Sequence, residues 1–219
     1  AYIEILSIEP EGYGQRVTVR HVGEKLSFRL PLTGEFQVSN ALIAAALAMS
    51  TGVDKKDAFP ALEQLKGAKG RLELVGEHNG AAVFVDYSHK PAALEHALTS
   101  LRPYAKGKLR VVFGAGGDRD KGKRPMMGEV AARLADDVIV TDDNPRTEDA
   151  KSIRGEILAA ANGAREIGDR RTAIETAVRE LKRGDVLLIA GKGHEDYQII
   201  GTAKHHFSDH EVVAEAIGG

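Results

Sequence analysis

Four short segments of this chain place polar and charged residues directly after an apolar run. The segments span residues 83–89, 111–119, 138–146 and 187–195. Buried strands of a parallel sheet have continuous apolar runs of this kind, and ligands of an open α/β sheet bind in the crevice outside the carboxyl ends of its strands. We therefore predict that the four polar clusters lie at one edge of one sheet and form a single charged binding site.

The third cluster, Asp143-Asn144-Pro145-Arg146, has the side chains of an amino-acid binding site. Pro145 fixes one backbone angle and biases Asn144 towards an extended conformation, so the loop is stiff. The carboxylate and the amide suit an ammonium group, while the Arg146 guanidinium suits bidentate binding of a carboxylate. Taken alone, the tetrapeptide is explained more simply as a turn that starts at Asp143 and carries a surface arginine.

The fourth and first clusters offer complementary groups. The segment from Gly191 to Glu195 provides backbone amides and a carboxylate for a ligand ammonium, although a glycine turn with an exposed glutamate explains it equally well. Another apolar run is followed directly by Asp86, Tyr87 and His89. An aromatic ring beside a histidine and a lysine suits the base, ribose or phosphate of a nucleotide, whereas a lone histidine there is more often structural.

The glycine-rich second cluster fails two nucleotide-binding patterns. A P-loop requires serine or threonine after its lysine, and Arg124 stands in that place. A dinucleotide-binding loop requires a third glycine where this chain has Arg119. The glycines still permit close approach to a ligand, with Arg119 and Lys123 as cations; otherwise the segment is a turn with solvated charges. No HExxH motif or metal-ligand spacing occurs, so we predict no metal site in this sequence. We also assign no catalytic residue.

Composition limits the class of protein. The 219 residues are 42% hydrophobic and 28% charged, as in a globular protein with a sizeable core. A formal charge of −2 argues against general binding to nucleic acid or anionic membrane, and the absence of cysteine excludes thiol catalysis. No apolar run approaches the roughly 18 residues of a membrane helix, so we expect a cytoplasmic protein. Because the sequence begins at Ala1, inside a predicted strand, we expect a piece of a longer protein.

The sequence divides into two regions, residues 1–69 and 70–219. The first has three predicted strands within residues 1–32, then helices near 38–49 and 54–65; alanine and leucine dominate the first helix, so we expect most of its sides to be buried. Two glycines without apolar periodicity mark the boundary near residues 66–70. The second region alternates strands and helices, which predicts βαβ units and a parallel sheet. Its predicted strands lie near 71–76, 81–86, 108–113, 137–141, 165–168 and 185–190, its helices near 91–102, 125–135, 150–162, 171–182 and 209–217, and a hairpin over 197–207.

Together the four clusters resemble, in order and in spacing, the motifs of the Mur ligase family of peptidoglycan synthesis. The matching stretches are residues 85–91 (VDYSHKP), 116–125 (GGDRDKGKRP), 143–147 (DNPRT) and 190–197 (AGKGHEDY). The resemblance covers essentially the whole chain, and the combination is far more specific than any one motif. Ser88 and Lys90 differ from the alanine and threonine that are commoner at these places in the family.

The resemblance implies a fold and an activity. Residues 1–69 would be the C-terminal end of a central ATPase domain, and residues 70–219 a C-terminal Rossmann-like α/β domain with a mostly parallel sheet flanked by helices. The best-matching branch uses ATP and Mg²⁺ to add meso-diaminopimelate to UDP-N-acetylmuramoyl-L-alanyl-D-glutamate through an acyl phosphate. The family's P-loop, magnesium-binding glutamate and carbamylated lysine lie upstream and are absent from this sequence, so we expect the chain alone to be inactive.

The same resemblance implies residue roles. Diaminopimelate would be bound by Arg119, Asp143, Asn144, Arg146, Gly191 and Glu195. The nucleotide side would include Asn40, Arg71, Asp86, Tyr87 and His89. Arg146 would take the distal carboxylate, which is the group that lysine lacks.

Two alternative functions remain open at this point. A non-catalytic α/β module that binds an amino acid or a nucleotide would need the same loops but no upstream ATPase. A sibling ligase that adds lysine or another amino acid would keep the fold, but it would not need the carboxylate site that Arg146 provides. For the main interpretation the expected partners are the small-molecule substrates and the missing N-terminal portion of the same protein, with no nucleic acid and no membrane.

Overall fold

The computed structural model describes residues 3–218 and falls into two compact units, which divide in sequence between Ala68 and Lys69. The predicted boundary after residue 69 lies one residue from this division. Residues 1 and 2, which the predicted first strand includes, and residue 219 lie outside the described part. None of the described helices has both the length and the apolar character needed to cross a membrane.

The first unit is an antiparallel three-stranded sheet followed by two helices. The sheet comprises β1 (Ile3–Glu11), β2 (Gly14–His21) and β3 (Glu24–Leu30), and the helices are α1 (Glu35–Ser50) and α2 (Lys55–Leu62). Alternate strand residues such as Val17, Val19 and Phe28 face the core, where they pack against α1 and α2. Asp54 caps α2, as its position predicts, because its side chain accepts a hydrogen bond from the Lys56 N–H at 2.9 Å.

The prediction that most sides of α1 are buried is wrong within the described residues. Its buried positions form one stripe with helical spacing: Val38, Ala41, Leu42 and Ala45. On the other side, Ile43 is 60% exposed and Leu47 63% exposed. Composition misled the prediction because apolar residues also occupy the exposed side of the helix.

The second unit is a six-stranded sheet in the order β4-β5-β9-β6-β7-β8. The strands are β4 (Glu73–His78), β5 (Ala81–Asp86), β6 (Leu109–Phe113), β7 (Asp137–Val140), β8 (Arg165–Glu166) and β9 (Val186–Ala190). The helices are α3 (Pro91–Leu101), α4 (Lys123–Leu134), α5 (Ala150–Leu158), α6 (Arg170–Arg179) and α7 (Asp209–Gly218), with a 3₁₀ turn at Arg102–Tyr104. The predicted α/β class, a mostly parallel sheet flanked by helices, is confirmed.

The sheet is parallel from β5 to β8, and only β4 runs antiparallel. Asn79 and Gly80 form the two-residue link between β4 and β5, both with positive φ (53° and 74°). A link this short can only reverse the chain, and Asn-Gly is the residue pair that favours such a turn. The predicted βαβ units and parallel pairing therefore begin at β5, and β4 is the antiparallel strand of the mostly parallel sheet.

The carboxyl ends of the central strands are covered from the side by a separate hairpin. It comprises β10 (Tyr197–Ile200) and β11 (Ala203–His206), turning at Gly201-Thr202 as predicted. On one face of the main sheet, α6 and α7 pack over Val83, Val85, Leu187 and Ile189 in an apolar core. This core holds the strand ends in fixed register, and so it positions the loops that follow them.

Candidate functional site

The four polar clusters follow four adjacent parallel strands, β5, β9, β6 and β7. Their carboxyl ends therefore lie side by side, and between them is a cavity of about 670 Å³, a size typical of small-ligand sites. Its lining includes all six residues expected to bind diaminopimelate and two of the five expected on the nucleotide side: Arg119, Asp143, Asn144, Arg146, Gly191 and Glu195, with Tyr87 and His89. Lys90, Pro91, Gly116, Asp120, Lys123 and Tyr197 complete it.

Asn144 is buried, and its amide has one possible orientation. Its Oδ1 accepts hydrogen bonds from Lys192 Nζ at 3.0 Å and from the Ile199 N–H at 2.9 Å. Its Nδ2 must then face the other way, where it donates to Glu195 Oε2 at 3.1 Å. The amide thus holds the Glu195 carboxylate against the cavity wall.

Glu195 is also flanked by two tyrosines. The Tyr87 hydroxyl donates to Glu195 Oε1 at 3.4 Å. Burial and the nearby Glu195 carboxylate raise the pKa of Tyr87, and the same carboxylate, with burial, raises the pKa of Tyr197. Both hydroxyls are therefore protonated at neutral pH, and the negative charge at this wall belongs to the glutamate.

Asp143 supplies a second carboxylate, which accepts no hydrogen bond from any described residue. It is only 8% exposed, and its Oδ2 lies so close to Gly191 that a Cβ there would approach it to 2.7 Å. Gly191 has a φ of +117°, which is open to glycine but not to other residues. A buried carboxylate without a hydrogen bond is a strong acceptor for an ammonium group.

Arg146 lies in the left-handed region, with a φ of +53°. Two main-chain hydrogen bonds to the hairpin hold it there, from the Arg146 N–H to the Ile199 carbonyl at 3.0 Å and from the Gly201 N–H to the Arg146 carbonyl at 2.7 Å. Nη1 of its half-buried guanidinium donates to the carbonyls of Gly117 and Asn144, at 2.7 and 3.4 Å. Both of these bonds use Nη1, so Nη2 and Nε are left for a ligand.

The glycine-rich loop after β6 reaches Arg146 because it has no side chains in the way. A Cβ at Gly117 would collide with the Pro145 carbonyl oxygen, and the Gly117 N–H donates to the Asn144 carbonyl at 2.9 Å. Arg119 follows on the outer rim, exposed, with Nη1 donating to the Asp118 carbonyl at 3.0 Å. Arg119 therefore lines the mouth of the cavity and Arg146 lines its wall.

Of the five residues expected on the nucleotide side, two line the cavity and three do not. The Arg71 guanidinium lies 5.0 Å from the centre of the Tyr87 ring. The centres of the Tyr87 and His89 rings lie 4.5 Å apart. Asp86 is buried and does not line the cavity; its carboxylate accepts the Leu72 N–H at 2.7 Å and the Ser88 hydroxyl. Asn40 is an exposed residue of α1, in the first unit. The ligand roles of all five stay predictions.

Two fully buried cations under the cavity were not predicted from the sequence. Lys192 is the amine that donates to Asn144 Oδ1. Arg170 donates two hydrogen bonds of 2.8 Å to Asp209 and further bonds to the carbonyls of Ala190 (3.0 Å) and Asp142 (3.4 Å), which ties two site loops to α6 and α7. Lys192 lies inside the fourth cluster and Arg170 is the first residue of α6, but a Lys or Arg in a sequence normally indicates an exposed side chain.

Arg124, which fills the serine or threonine place of the near P-loop, is a structural residue. Its fully buried side chain donates to Glu148 at 2.9 Å, to Glu156 at 3.1 Å and to the Gly116 carbonyl at 3.4 Å. Glu148 also accepts the Asp118 N–H at 2.6 Å. This network joins the glycine-rich loop to the segment after Arg146, and it leaves Arg124 unable to bind a phosphate.

Glu148 makes this network sensitive to acid. The Arg124 guanidinium, helped by the Asp118 N–H and by Lys121, lowers the pKa of Glu148 from 4.5 to about 2. A carboxylate with a lowered pKa stabilises the fold above its unfolded pKa, and this contribution is lost as the pH falls through the folded pKa. We therefore expect Glu148→Gln to lower the melting temperature at pH 7, and the difference from the parent to shrink between about pH 4.5 and 2.

Circular dichroism melts from pH 7 to 2 measure this difference. The matched control is Glu129→Gln, because Glu129 is an exposed residue of α4 that makes no side-chain hydrogen bond to the described residues. A Glu148→Gln difference that stays constant across this range would contradict the assignment.

Within the described residues, no group of three or more His, Asp or Glu side chains has the geometry to hold a metal ion. The cavity instead combines two carboxylates on one wall with a guanidinium on another. That combination matches the ammonium and carboxylate of an amino acid.

Comparison with known proteins identifies the family. The family model for the Mur ligase, glutamate ligase domain, matches residues 70–193, which include all four clusters except the last two residues of the fourth. The chain belongs to the Mur ligase family. The matched range lies within the second unit and contains every described residue of the cavity wall except Glu195 and Tyr197.

Curated Mur ligases of one kind are similar to this chain along nearly its whole length. The UDP-N-acetylmuramoyl-L-alanyl-D-glutamate--2,6-diaminopimelate ligase of Bradyrhizobium diazoefficiens is 60% identical over 98% of this chain and 44% of its own length. The ligase of the same name from Agrobacterium fabrum is 58% identical over 99% and 44%. The chain thus spans less than half the length of the curated relatives it matches.

Solved structures extend the likeness to the fold. A ligase of the same name superposes with a TM-score of 0.78 at 36% identity, covering all of this chain and 45% of that one. A folylpolyglutamate synthase from Thermotoga maritima superposes with a TM-score of 0.66 at 23% identity, over 99% of this chain and 46% of that one. The second likeness concerns the fold alone.

Proposed function

We propose that this chain forms the amino-acid side of an ATP-dependent Mur ligase that adds meso-diaminopimelate to UDP-N-acetylmuramoyl-L-alanyl-D-glutamate in bacterial peptidoglycan biosynthesis. The observation that carries the proposal is that the cavity is lined by two carboxylates and a guanidinium, which are complementary to the ammonium and the carboxylate of an amino acid. The Asp143 carboxylate accepts no hydrogen bond from a described residue, Glu195 lines the same cavity, and so does Arg146, whose side-chain hydrogen bonds to described residues use only Nη1. The names of the two curated relatives, both 2,6-diaminopimelate ligases, support the choice of substrate.

One amino-acid head group of diaminopimelate fits these residues. Its ammonium binds Asp143 and Glu195, and its carboxylate binds Arg146, with Arg119 at the mouth adding positive charge. Gly191 leaves room beside Asp143, and Asn144 fixes Glu195. Charge-assisted hydrogen bonds of this kind contribute about 1.5–3 kcal/mol each. The second amine of the ligand is left free, and it is the nucleophile of the reaction.

The reaction joins that amine to the glutamyl carboxylate of the nucleotide substrate. ATP first phosphorylates the carboxylate and leaves as ADP. The amine then attacks the carbonyl carbon, a C–N bond forms, the C–O bond to phosphate breaks, and the amine loses a proton. The chain contributes by holding the amine in place, which replaces a bimolecular encounter by an oriented one.

The nucleotide side of the proposal rests on the cluster of Arg71, Tyr87 and His89, with Asp86 supporting its loop. We also propose a nucleotide-binding role for Asn40, which the family resemblance implies. We assign residues 1–69 to the end of a central ATPase domain and residues 70–219 to the C-terminal domain. Mg²⁺ supplies charge neutralisation on the ATP phosphates when bound. By the family resemblance we assign the Mg²⁺ ligands and the P-loop to the N-terminal portion of a complete cytoplasmic ligase. Among the described residues, no group of three or more His, Asp or Glu side chains has the geometry to hold a metal ion.

Calorimetry on the chain tests the amino-acid site. We expect binding of meso-diaminopimelate, weaker binding of lysine, and a loss of about tenfold or more in affinity for Asp143→Asn, because one charge-assisted contact to the ammonium is removed. Asp196→Asn is the matched control, since Asp196 does not line the cavity. Equal binding of both variants would contradict the site.

An enzyme assay tests the reaction. We expect the complete protein that carries this sequence to form the tripeptide product from ATP, the nucleotide substrate and meso-diaminopimelate, and the chain alone to form none. Tripeptide formation by the chain alone would refute the assignment of the phosphate-binding groups upstream. Tight binding of an unrelated metabolite, with no ligase activity in the complete protein, would favour a non-catalytic binding module instead.

A further inference from the structure

Lys192 lies between the two glycines of the fourth cluster, and its side chain is fully buried. Its amine donates to Asn144 Oδ1 at 3.0 Å and to the Tyr197 carbonyl at 2.6 Å, and it lies 3.8 Å from Glu195 Oε2. Lys192 does not line the cavity, so a ligand does not reach it. Because burying an ammonium group is costly unless it is paired, the charge balance around it decides what it does.

The charged groups that face the Lys192 amine are Asp143, Arg170, Asp209 and Glu195. Arg170 and Asp209 neutralise each other through their paired hydrogen bonds. Lys192 is therefore left to balance Asp143 and Glu195, the two carboxylates of the cavity. Lys123 also faces Asp143, from the rim, but its amine is bonded to the His89 carbonyl at 2.7 Å.

We propose that Lys192 is a positioning residue, whose ammonium orients the Asn144 amide and acts as the internal counter-charge that keeps Asp143 and Glu195 both ionised in the empty cavity. Only the identity of the ligand in this inference rests on the proposed function. Two like charges at one site raise the pKa of one of them unless a cation lies between them. Burial lowers the pKa of the Lys192 amine while Asp143 opposes that effect, as expected for a cation held by the acids it balances.

Titration of the ligand-free chain tests the inference directly. In Lys192→Met, which keeps the length of the side chain but removes its charge, we expect the carboxyl ¹³C signal of Asp143 or Glu195 to titrate about one pH unit higher or more than in the parent. The Asn144 side-chain amide signals should also lose their protection from exchange. Lys106→Met is the matched control, because Lys106 is exposed and lies before β6, at the opposite edge of the sheet.

Unchanged carboxyl midpoints with an unchanged Asn144 amide would overturn the inference, since a purely structural lysine predicts that result. If Lys192→Met alone unfolds, the double variant Lys192→Met with Glu195→Gln decides. We expect the double variant to melt at a higher temperature than the single one, because it lacks the repulsion between the two carboxylates. A double variant that is no more stable than the single one overturns the inference.

Ligand binding gives a second, separate readout. We expect the affinity of Lys192→Met for meso-diaminopimelate, divided by that of the parent, to fall as the pH is lowered from 8.5 through the carboxyl midpoints, because one carboxylate takes up its proton at a higher pH in the variant. A midpoint shift of one pH unit gives a fall of about tenfold once the pH lies below both midpoints. The ratio cancels any effect of pH on the ligand or on the cavity that the two chains share. A ratio independent of pH would contradict the inference. A parent chain that does not bind the ligand defeats the proposed function, while the carboxyl titration still decides the role of Lys192.

Discussion

Replacing Asp209 with alanine should lower the free energy of unfolding by about 3–5 kcal/mol, because it leaves the Arg170 guanidinium buried without its counter-charge. Both side chains are fully buried, and two hydrogen bonds of 2.8 Å join them. The guanidinium also holds the carbonyls of Ala190 and Asp142, at the ends of two strands that carry the site. Loss of the Asp209 carboxylate should therefore disturb the loops of the ligand cavity as well as the packing of α6 and α7.

Urea denaturation followed by circular dichroism at 222 nm measures this change. The chain offers a matched control, since Arg171 and Glu215 form an ion pair between the same two helices but are 45% and 61% exposed. Glu215→Ala should cost no more than about 1 kcal/mol, because water replaces a lost surface partner. Similar losses for the two variants would show that burial of the Arg170 pair does not govern its contribution.

Replacing Arg146 with alanine should reduce the preference for meso-diaminopimelate over lysine by about tenfold to a hundredfold. The lost interaction is a charge-assisted hydrogen bond to the distal carboxylate, about 1.5–3 kcal/mol, at roughly 1.4 kcal/mol per decade. The guanidinium is only half-buried, so the larger penalty for a charge isolated in a dry interior does not apply. The measurement is the ratio of the two dissociation constants in the chain, or of kcat/KM in the complete protein.

Lysine is the internal control for this variant, because it has no carboxylate at that end and its affinity should change little. Arg119→Ala is a second comparison. Its guanidinium is exposed at the mouth, so its loss should weaken binding by about fivefold at most, in line with exposed ion pairs. A ratio unchanged in Arg146→Ala would remove Arg146 from the recognition of the distal carboxylate.

The placement of the site was predictable because its signal is local. Each apolar run ends where its polar cluster begins. Because parallel strands run in the same direction, their carboxyl ends lie together at one edge of the sheet, and so do the clusters that follow them. The antiparallel direction of β4 could also have been predicted, since Asn79-Gly80 between the strands predicted near 71–76 and 81–86 is a strong hairpin signal. That one side of α1 is exposed could have been predicted from the helical spacing of its residues, but not from its composition.

What the sequence did not predict depends on contacts between distant residues. Lys192 and Arg170 are buried because Asn144 and Asp209, 48 and 39 positions away, accept their hydrogen bonds. Asp86, whose role on the nucleotide side stays a prediction, accepts hydrogen bonds from the Leu72 N–H and the Ser88 hydroxyl, and its position in the sequence did not indicate these partners. No local pattern distinguishes a charged side chain that meets a ligand from one that supports its neighbours.

The main-chain bonds between Arg146 and the hairpin have a consequence for engineering. The left-handed backbone of Arg146 exists because Ile199 and Gly201, more than fifty positions later, bond to it on both sides. Grafting the tetrapeptide Asp143-Asn144-Pro145-Arg146 into another scaffold would transfer the side chains without the conformation that aims them. A successful transplant must carry residues 143–146 and 197–201 together, as one inseparable recognition element.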